Sequence, residues 1–417
     1  MANFGKRGET QNGILERTKT SPKGQVALVA LANGINAASK AIFLAVATYL
    51  TTGEVFETFI LLVVIIDAGA IVLDLGGNAG VIVTARSIRL ERRQAYYRRA
   101  QLFKLAYLLV AALFMQSVLG ALPALLMIAV CVFEFQNTLL QSSYRFLAQV
   151  ARQSAGLVIR LFGLVPLYLY QADSALMLAL FYSPQLILSL VFILAGFFDA
   201  QQPRPLYSNA FRIGFDENRE IYRVGRSSLL MQIAILVLRR GDIAFVSYFL
   251  GPGVAAKVGL LFTFAQFLPM LSNAVSRVLL PYMLDNVGLY DRVRKDRRRI
   301  IGISVALAGL IAVPMTALYV LIFQDDKLVI WSVAWLVFLA ISMNTIFQPI
   351  STTMYRKRAI GRLAQIHLEQ LVVQGAFSLS LIPFLDIYGV AISLVIVRLY
   401  GLWRLNRAVG QLEEGAS

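Results

Sequence analysis

The chain has 417 residues, 58% hydrophobic and only 15% charged, with one cysteine, one histidine and a formal net charge of +16. A soluble chain of this length carries about 25% charged residues, so an ordinary soluble enzyme or binding domain is excluded. Cys131 lies within an apolar run; as the only cysteine it excludes an internal disulfide and a cysteine-built metal site, and it reads as a small buried core residue.

Residues 1–23 are polar and basic and read as a cytoplasmic tail. The apolar run that follows is too long for a signal-peptide core and has no small-residue cleavage site after it, so it reads as a retained membrane helix. Apolar runs then predict spans near 24–49, 57–84, 102–121, 123–142, 153–171 and 174–197, which form an N-lobe over 24–197. A polar, Pro-containing connection at 198–226 separates them from a C-lobe over 227–404. Its spans fall near 227–250, 257–284, 300–323, 328–351, 363–385 and 387–404, and 405–417 form a second cytoplasmic tail. Nearly all lysines and arginines fall on the tails and on the loops of one side, whereas the opposite loops hold only Lys257 and Lys327. That asymmetry predicts both termini in the cytoplasm. It also makes the basic balance a topology signal and the run "YDRVRKDRRRI" a membrane-surface anchor, so no nucleic-acid partner is expected. The opposite loops are too short for an external catalytic domain.

Charges inside the spans are expensive, about 2.5–3.5 kcal/mol each at the bilayer centre, yet the stretch "VLRRGDIAFVSYFLG" holds three. Arg239 and Asp242 are three apart and share a helix face, while Arg240 points away from Asp242. The economical reading pairs Arg239 with Asp242 and leaves Arg240 to a cavity; the alternative bonds Asp242 across to another helix. Lys40, Arg160, Arg277 and Arg398 are the other cations assigned to spans, and the last two also sit where they can snorkel. Polar stripes accompany them. They comprise Asn33, Asn36 and Lys40 on the first span, Asp67 and Asp74 on the second, and Glu134 on the fourth. Gln153 and Arg160 mark the fifth, Gln266, Asn273 and Arg277 the eighth, Gln348 the tenth, and His367 and Gln374 the eleventh. The third and sixth spans of each half read as nearly free of such stripes. The distribution predicts an all-α membrane protein with about twelve helices in two six-helix lobes around a central cationic cavity. The competing reading is plain helix–helix hydrogen bonding, which is common for Asn, Gln and Ser in membranes.

The segment "GDIAFVSYFLGPGVAAKVGLLFTFAQFLPMLSNAVSRVLLPYM" (241–283) resembles the start of the second lobe of polysaccharide-biosynthesis flippases. These are the O-antigen and exopolysaccharide translocases of the multidrug/oligosaccharidyl-lipid/polysaccharide exporter superfamily, whose fold is MATE-like. Asp242, Leu250-Gly251, Gly259 and Pro281 carry the likeness, with "LDLGGNAGVIV" (73–83) and "IYGVAISLVI" (387–396). The chain departs from the pattern in a longer loop between Leu250 and Gly259, and in Thr51 and Glu57 where glycines are common. The resemblance implies a flippase for polyprenyl-pyrophosphate-linked oligosaccharide in a bacterial or archaeal cytoplasmic membrane. It also implies a monomer that associates with polysaccharide polymerase or assembly proteins.

On that reading Arg240, Lys40, Arg277, Arg160, Arg239 and Arg398 form the cationic site for pyrophosphate. Asn33, Asn36, Gln266, Asn273, Gln348 and Gln374 line the cavity, while Asp67, Asp74, Glu134 and Asp242 serve ion coupling or charge pairing. Two other classes compete. An antiporter of the same superfamily would export a drug or an anionic metabolite, and the membrane cations disfavour a cationic drug. An integral-membrane enzyme would be expected to show a P-loop, a dinucleotide fingerprint, a nucleophile–base pair or a metal-like carboxylate cluster. The sequence offers only "DENRE" (216–220) among arginines. No enzyme activity, metal or cofactor is therefore expected.

Overall fold

The computed structural model describes residues 22–51, 53–85, 88, 90–143, 145–170, 173–198, 229–238, 241–265, 268, 298–299, most of 301–320, 327–356 and 359–414. All regular structure among them is helical. In chain order the helices are α1 (Pro22–Leu50), α2 (Gly53–Asp74), α3 (Gly77–Ala85), α4 (Leu90–Leu119) and α5 (Ala121–Ser142). There follow α6 (Phe146–Phe162), α7 (Leu164–Leu169), α8 (Ser174–Phe198), helical residues at 229–238 and 241–250, and α9 (Pro252–Ala265). Further helical residues lie within 301–320, before α10 (Lys327–Ser342), α11 (Asn344–Arg356) and α12 (Ile360–Glu414). Seven helices among the described residues are long and apolar enough to cross a bilayer, and α12 contains two arms.

One break falls inside a span that hydropathy predicts and another at a predicted boundary. The second span is divided between α2 and α3, where Leu75 and Gly76 both take positive φ, 50° and 72°. A left-handed residue ends a helix by turning its last carbonyls outward, and "LDLGG" supplies the glycine that tolerates it. Within α12, Asp386 has φ 49° and ψ −130°, three residues after Pro383. The chain folds back there into an antiparallel hairpin, because residues equally far from Asp386 meet. Ser378 faces Ser393 at 3.3 Å, and Glu369 faces Arg404. This turn separates the two last spans where the sequence places their boundary.

In the first half α1 packs along α6, and α5 lies against α2, α4 and α8. In the second half α10 and α11 both pack on α12. The halves meet where α9 crosses the start of α2: a side chain added at Gly253 would lie 2.9 Å from Glu57, and one at Gly259 would lie 3.3 Å from Ile60. The apolar core follows the same plan. One large cluster spans both halves at the end bearing 50–53 and 250–252, joining Phe43, Phe59 and Phe181 to Val258, Val337 and Leu394. Towards the other end the described core divides. Val81, Tyr96, Phe135 and Leu139 form a cluster of the first half, and Met231, Ile350, Leu363 and Leu405 form one of the second. Among the described residues the halves are thus joined at one end only. Cys131 is buried in the shared cluster.

The structure corrects two assignments made from hydropathy. Lys104, at the edge of the third predicted span but not among the cations assigned to spans, and Arg152, in the loop before the fifth, are both buried inside the bundle. Their helices, α4 and α6, begin well before the apolar windows do, at Leu90 and Phe146. The sixth span is also more polar in use than it reads: Tyr182, Gln185 and Ser189 of α8 are all buried partners of charged residues.

Candidate functional site

Helix α6 reverses ordinary amphipathicity. Its buried face carries Gln149, Arg152, Gln153, Gly156 and Arg160 at i, i+3, i+4, i+7 and i+11, while Leu147, Val158, Leu161 and Phe162 are exposed. In a bilayer this arrangement is favourable, since lipid accepts the apolar face and the polar face finds partners inside. A methyl added at Gly156 would sit in ordinary contact with Pro184 and Leu188 of α8, at 3.5 Å.

Arg160 is 1% exposed and ties three helices together. Its Nε donates to the Phe181 carbonyl at 3.1 Å, Nη1 donates to the Ser39 hydroxyl of α1, and Nη2 donates to the Gln185 amide oxygen. The guanidinium carbon lies 5.3 Å from the centre of the Phe181 ring, and Lys40 Nζ lies 5.7 Å from the same ring. Two cations from α1 and α6 therefore share one aromatic side chain of α8. Next to it, Tyr182 donates to Asp67 at 2.9 Å and to the Val63 carbonyl at 3.2 Å, so Asp67 is joined to the same cluster from α2. Asn33 and Asn36 are half-buried on α1, and the Asn36 carbonyl accepts from Ser39.

About two turns nearer the start of α6, Arg152 is stacked on Phe133 at 4.0 Å and lies 5.3 Å from Phe192. Its guanidinium donates to the side chains of Asn137 (3.3 Å) and Gln136. Among the described residues no carboxylate forms an ion pair with Arg152 or Arg160. Both are held by neutral oxygens and aromatic faces, although Glu134, half-buried on α5, is within electrostatic range of Arg152. Arg152 was legible in principle: it continues the Gln153–Arg160 stripe at helical spacing, and only the drop in local hydropathy conceals it.

Asp74 and Lys104 form the third charged centre, at the break in the second span. Lys104 Nζ donates to Asp74 Oδ1 at 3.0 Å, to the Asp74 carbonyl at 2.9 Å and to the Leu73 carbonyl at 3.4 Å. The other carboxylate oxygen accepts from the Asn78 backbone N–H at 3.2 Å, at the start of α3. Tyr107 also donates to the Leu73 carbonyl. The lysine thus satisfies the last carbonyls of α2 while the aspartate caps α3, each at the helix end that its charge suits.

In the second half Asp242 is completely buried, and its Oδ1 accepts from Ser378 of α12 at 3.0 Å. The cross-helix bonding that the sequence left open is therefore present. Gln374 and Arg398 both donate to the Leu238 carbonyl at 3.4 Å, and Arg398 is close enough to Asp242 for charge attraction. His367 is buried, bonds Gln370 at 2.9 Å and stacks near Phe347. Gln348 lies on α11, but its side chain is outside the described residues, as are Arg239, Arg240, Gln266, Asn273 and Arg277. The inter-lobe connection 198–226 lies almost wholly outside them as well. Among the described residues no group of histidine, cysteine and carboxylate side chains is arranged to hold a metal ion.

No family model and no curated protein matches the chain. Solved structures do match. A multidrug resistance MATE family transporter of the MOP superfamily, in an outward-facing conformation, superposes with a TM-score of 0.70 at 14% identity, over 95% of this chain and 98% of that one. A mutant MATE transporter of Vibrio cholerae gives 0.66 at 13% identity, over 97% and 98%. A MOP superfamily transporter from Pyrococcus furiosus, described as having a binding pocket of reverse polarity that suggests a different function, gives 0.60 at 13% identity, over 95% and 97%. At such identities the likeness establishes the fold. The chain has the all-helical fold of the MATE transporters.

Proposed function

We propose that the chain is a flippase that carries a polyprenyl-pyrophosphate-linked oligosaccharide from the cytoplasmic to the outer leaflet for surface polysaccharide assembly, by alternating access. The O-antigen, capsular and exopolysaccharide pathways all use such a step. The observation that supports it most is the pair of cations on Phe181: Lys40 and Arg160 sit within the apolar depth of the bundle, and Arg160 is held by neutral oxygens. Cations at that depth would repel a cationic drug, whereas a pyrophosphate needs them, because its charges cross hydrocarbon only along a path of opposite charge. Arginine suits phosphate oxygens through its planar fork. With both termini cytoplasmic, the end at which the halves share a core faces outside, and a substrate would be loaded from the cytoplasmic leaflet. Arg240 and Arg277, in the second half, would complete the anion site, and Asp242 with Ser378 would brace it.

The same fold exporting a drug or an anionic metabolite is the second reading. The multidrug MATE transporter among the structural neighbours favours it, as do the carboxylates Asp67 and Asp242. The two readings separate in proteoliposomes loaded with a fluorescent short-chain polyprenyl-pyrophosphate sugar. The flippase reading expects the wild-type chain to expose the lipid to a membrane-impermeant reagent, and Lys40→Gln to slow that exposure at least about tenfold, the effect of roughly 1.4 kcal/mol. Equal rates in wild-type and protein-free vesicles, with efflux of a drug instead, would favour the second reading.

A further inference from the structure

The α12 hairpin carries a polar groove that the proposed transport path does not use. Its first arm presents Arg362, Gln365 and Glu369 at i, i+3 and i+7, and its second presents Arg404, Arg407 and Gln411 at the same spacing. Between the arms lies a cavity of about 160 Å³ lined by Arg362, Gln365, Ile366, Arg404, Ala408 and Gln411. Glu369 clamps Arg404 from across the hairpin, with Nε and Nη2 each 2.6 Å from a carboxylate oxygen. Tyr400 donates to the same carboxylate at 3.1 Å and Gln365 at 3.3 Å. This clasp fixes the orientation of Arg404 and leaves its Nη1 outside the pair. It neutralises only one of the three arginines. Arg407 and Arg404 both stand 5.9 Å from the ring of Trp403, which is 55% exposed.

What adjoins the groove decides its ligand. Towards the bilayer centre, the same side of the hairpin continues into Leu368, Val372 and Leu399, all exposed, with Val372 at 75%. In the other direction the helix continues to residue 414, so the arginines form a band at the outer end of the apolar ridge. Exposed tryptophan flanked by arginine is the side-chain pair found at the level of lipid headgroups. An arginine cleft that opens onto an apolar ridge matches a molecule with a phosphate at one end and acyl chains at the other.

We propose that this groove binds one anionic glycerophospholipid of the surrounding leaflet. The phosphodiester sits among Arg362, Arg404 Nη1 and Gln411, its headgroup lies beside Arg407 and Trp403, and an acyl chain lies along Leu368, Val372 and Leu399. The lipid then bridges the two arms at the end where, among the described residues, the halves share no common core. The site is independent of the substrate reading above, since none of its residues belongs to that cation set.

Native mass spectrometry of the full chain, exchanged into equal amounts of phosphatidylglycerol and phosphatidylcholine, tests it. The wild type is expected to retain one phosphatidylglycerol in preference to phosphatidylcholine. The double variant Arg362→Gln, Arg407→Gln leaves the Glu369–Arg404 clasp in place and is expected to weaken that preference roughly twentyfold, about fivefold per arginine. Its thermal unfolding in phosphatidylcholine alone should match the wild type, which separates lost binding from lost folding. Equal retention of the two lipids by the wild type, or an unchanged preference in the variant, overturns the proposal. Displacement of the lipid by millimolar inorganic phosphate also overturns it, because the site would then be one for free phosphate. Displacement by a polyprenyl pyrophosphate at equal concentration would make the groove part of the substrate's path and overturn it too.

Discussion

Lys104→Met is expected to destabilise the protein by about 3–5 kcal/mol, the range for breaking a buried ion pair by removing one partner. The methionine fills much of the same space, so the loss is electrostatic. Asp74 would keep its charge with only the Asn78 N–H to stabilise it, and the carbonyls of Leu73 and Asp74 would lose their ammonium donor. Adding Asp74→Asn removes the stranded charge, and the double variant should recover most of the loss while the Asp74 carbonyl stays short of a donor, at about 1–3 kcal/mol, since Leu73 keeps Tyr107. Reversible unfolding in mixed micelles measures all three proteins. If the single and double variants are equally destabilised, the ion pair does not stabilise the break in the second span.

Arg160→Leu is expected to be nearly as damaging to folding and more damaging to transport. The substitution leaves the Phe181 carbonyl, the Ser39 hydroxyl and the Gln185 amide without their shared donor inside the bundle. Hydrogen bonds to a charged group contribute about 1.5–3 kcal/mol each, and removing the desolvated cation offsets part of their loss, for a net cost of about 2–4 kcal/mol. Arg160→Lys is the informative companion. It keeps the charge but replaces a five-donor fork by a point donor, so it should fold nearly normally and still transport poorly. A lysine variant with full transport would show that charge alone suffices and that the fork has no part in the mechanism.

These residues also show how far the sequence could be read. Span positions follow from apolar length, and a boundary such as that at Asp386 is legible because Pro383 and a short polar residue interrupt the run. Arg160, Lys40, Asp67 and Asp242 stand out for the same reason: a charge inside an apolar window is improbable without a partner. Lys104 and Arg152 escape that logic. Each lies at the edge of its window, where hydropathy averages in the neighbouring basic loop, and only helical phase reveals that they point inwards. The partners are less legible still. Nothing local says that Arg160 meets Ser39, 121 positions away, or that Asp242 meets Ser378, 136 away. Pairings of that range are set by how whole helices pack. The junction of α2 with α9 through Glu57 and Gly253 has the same origin.

Gently purified protein, analysed by lipid mass spectrometry as wild type beside Lys40→Gln and Arg240→Ala, tests the central claim most directly. The account predicts a polyprenyl-pyrophosphate glycan that copurifies with the wild type and is lost or sharply reduced in both variants. A glycan lipid retained equally by all three, or a drug or small anionic metabolite bound in its place, would contradict it.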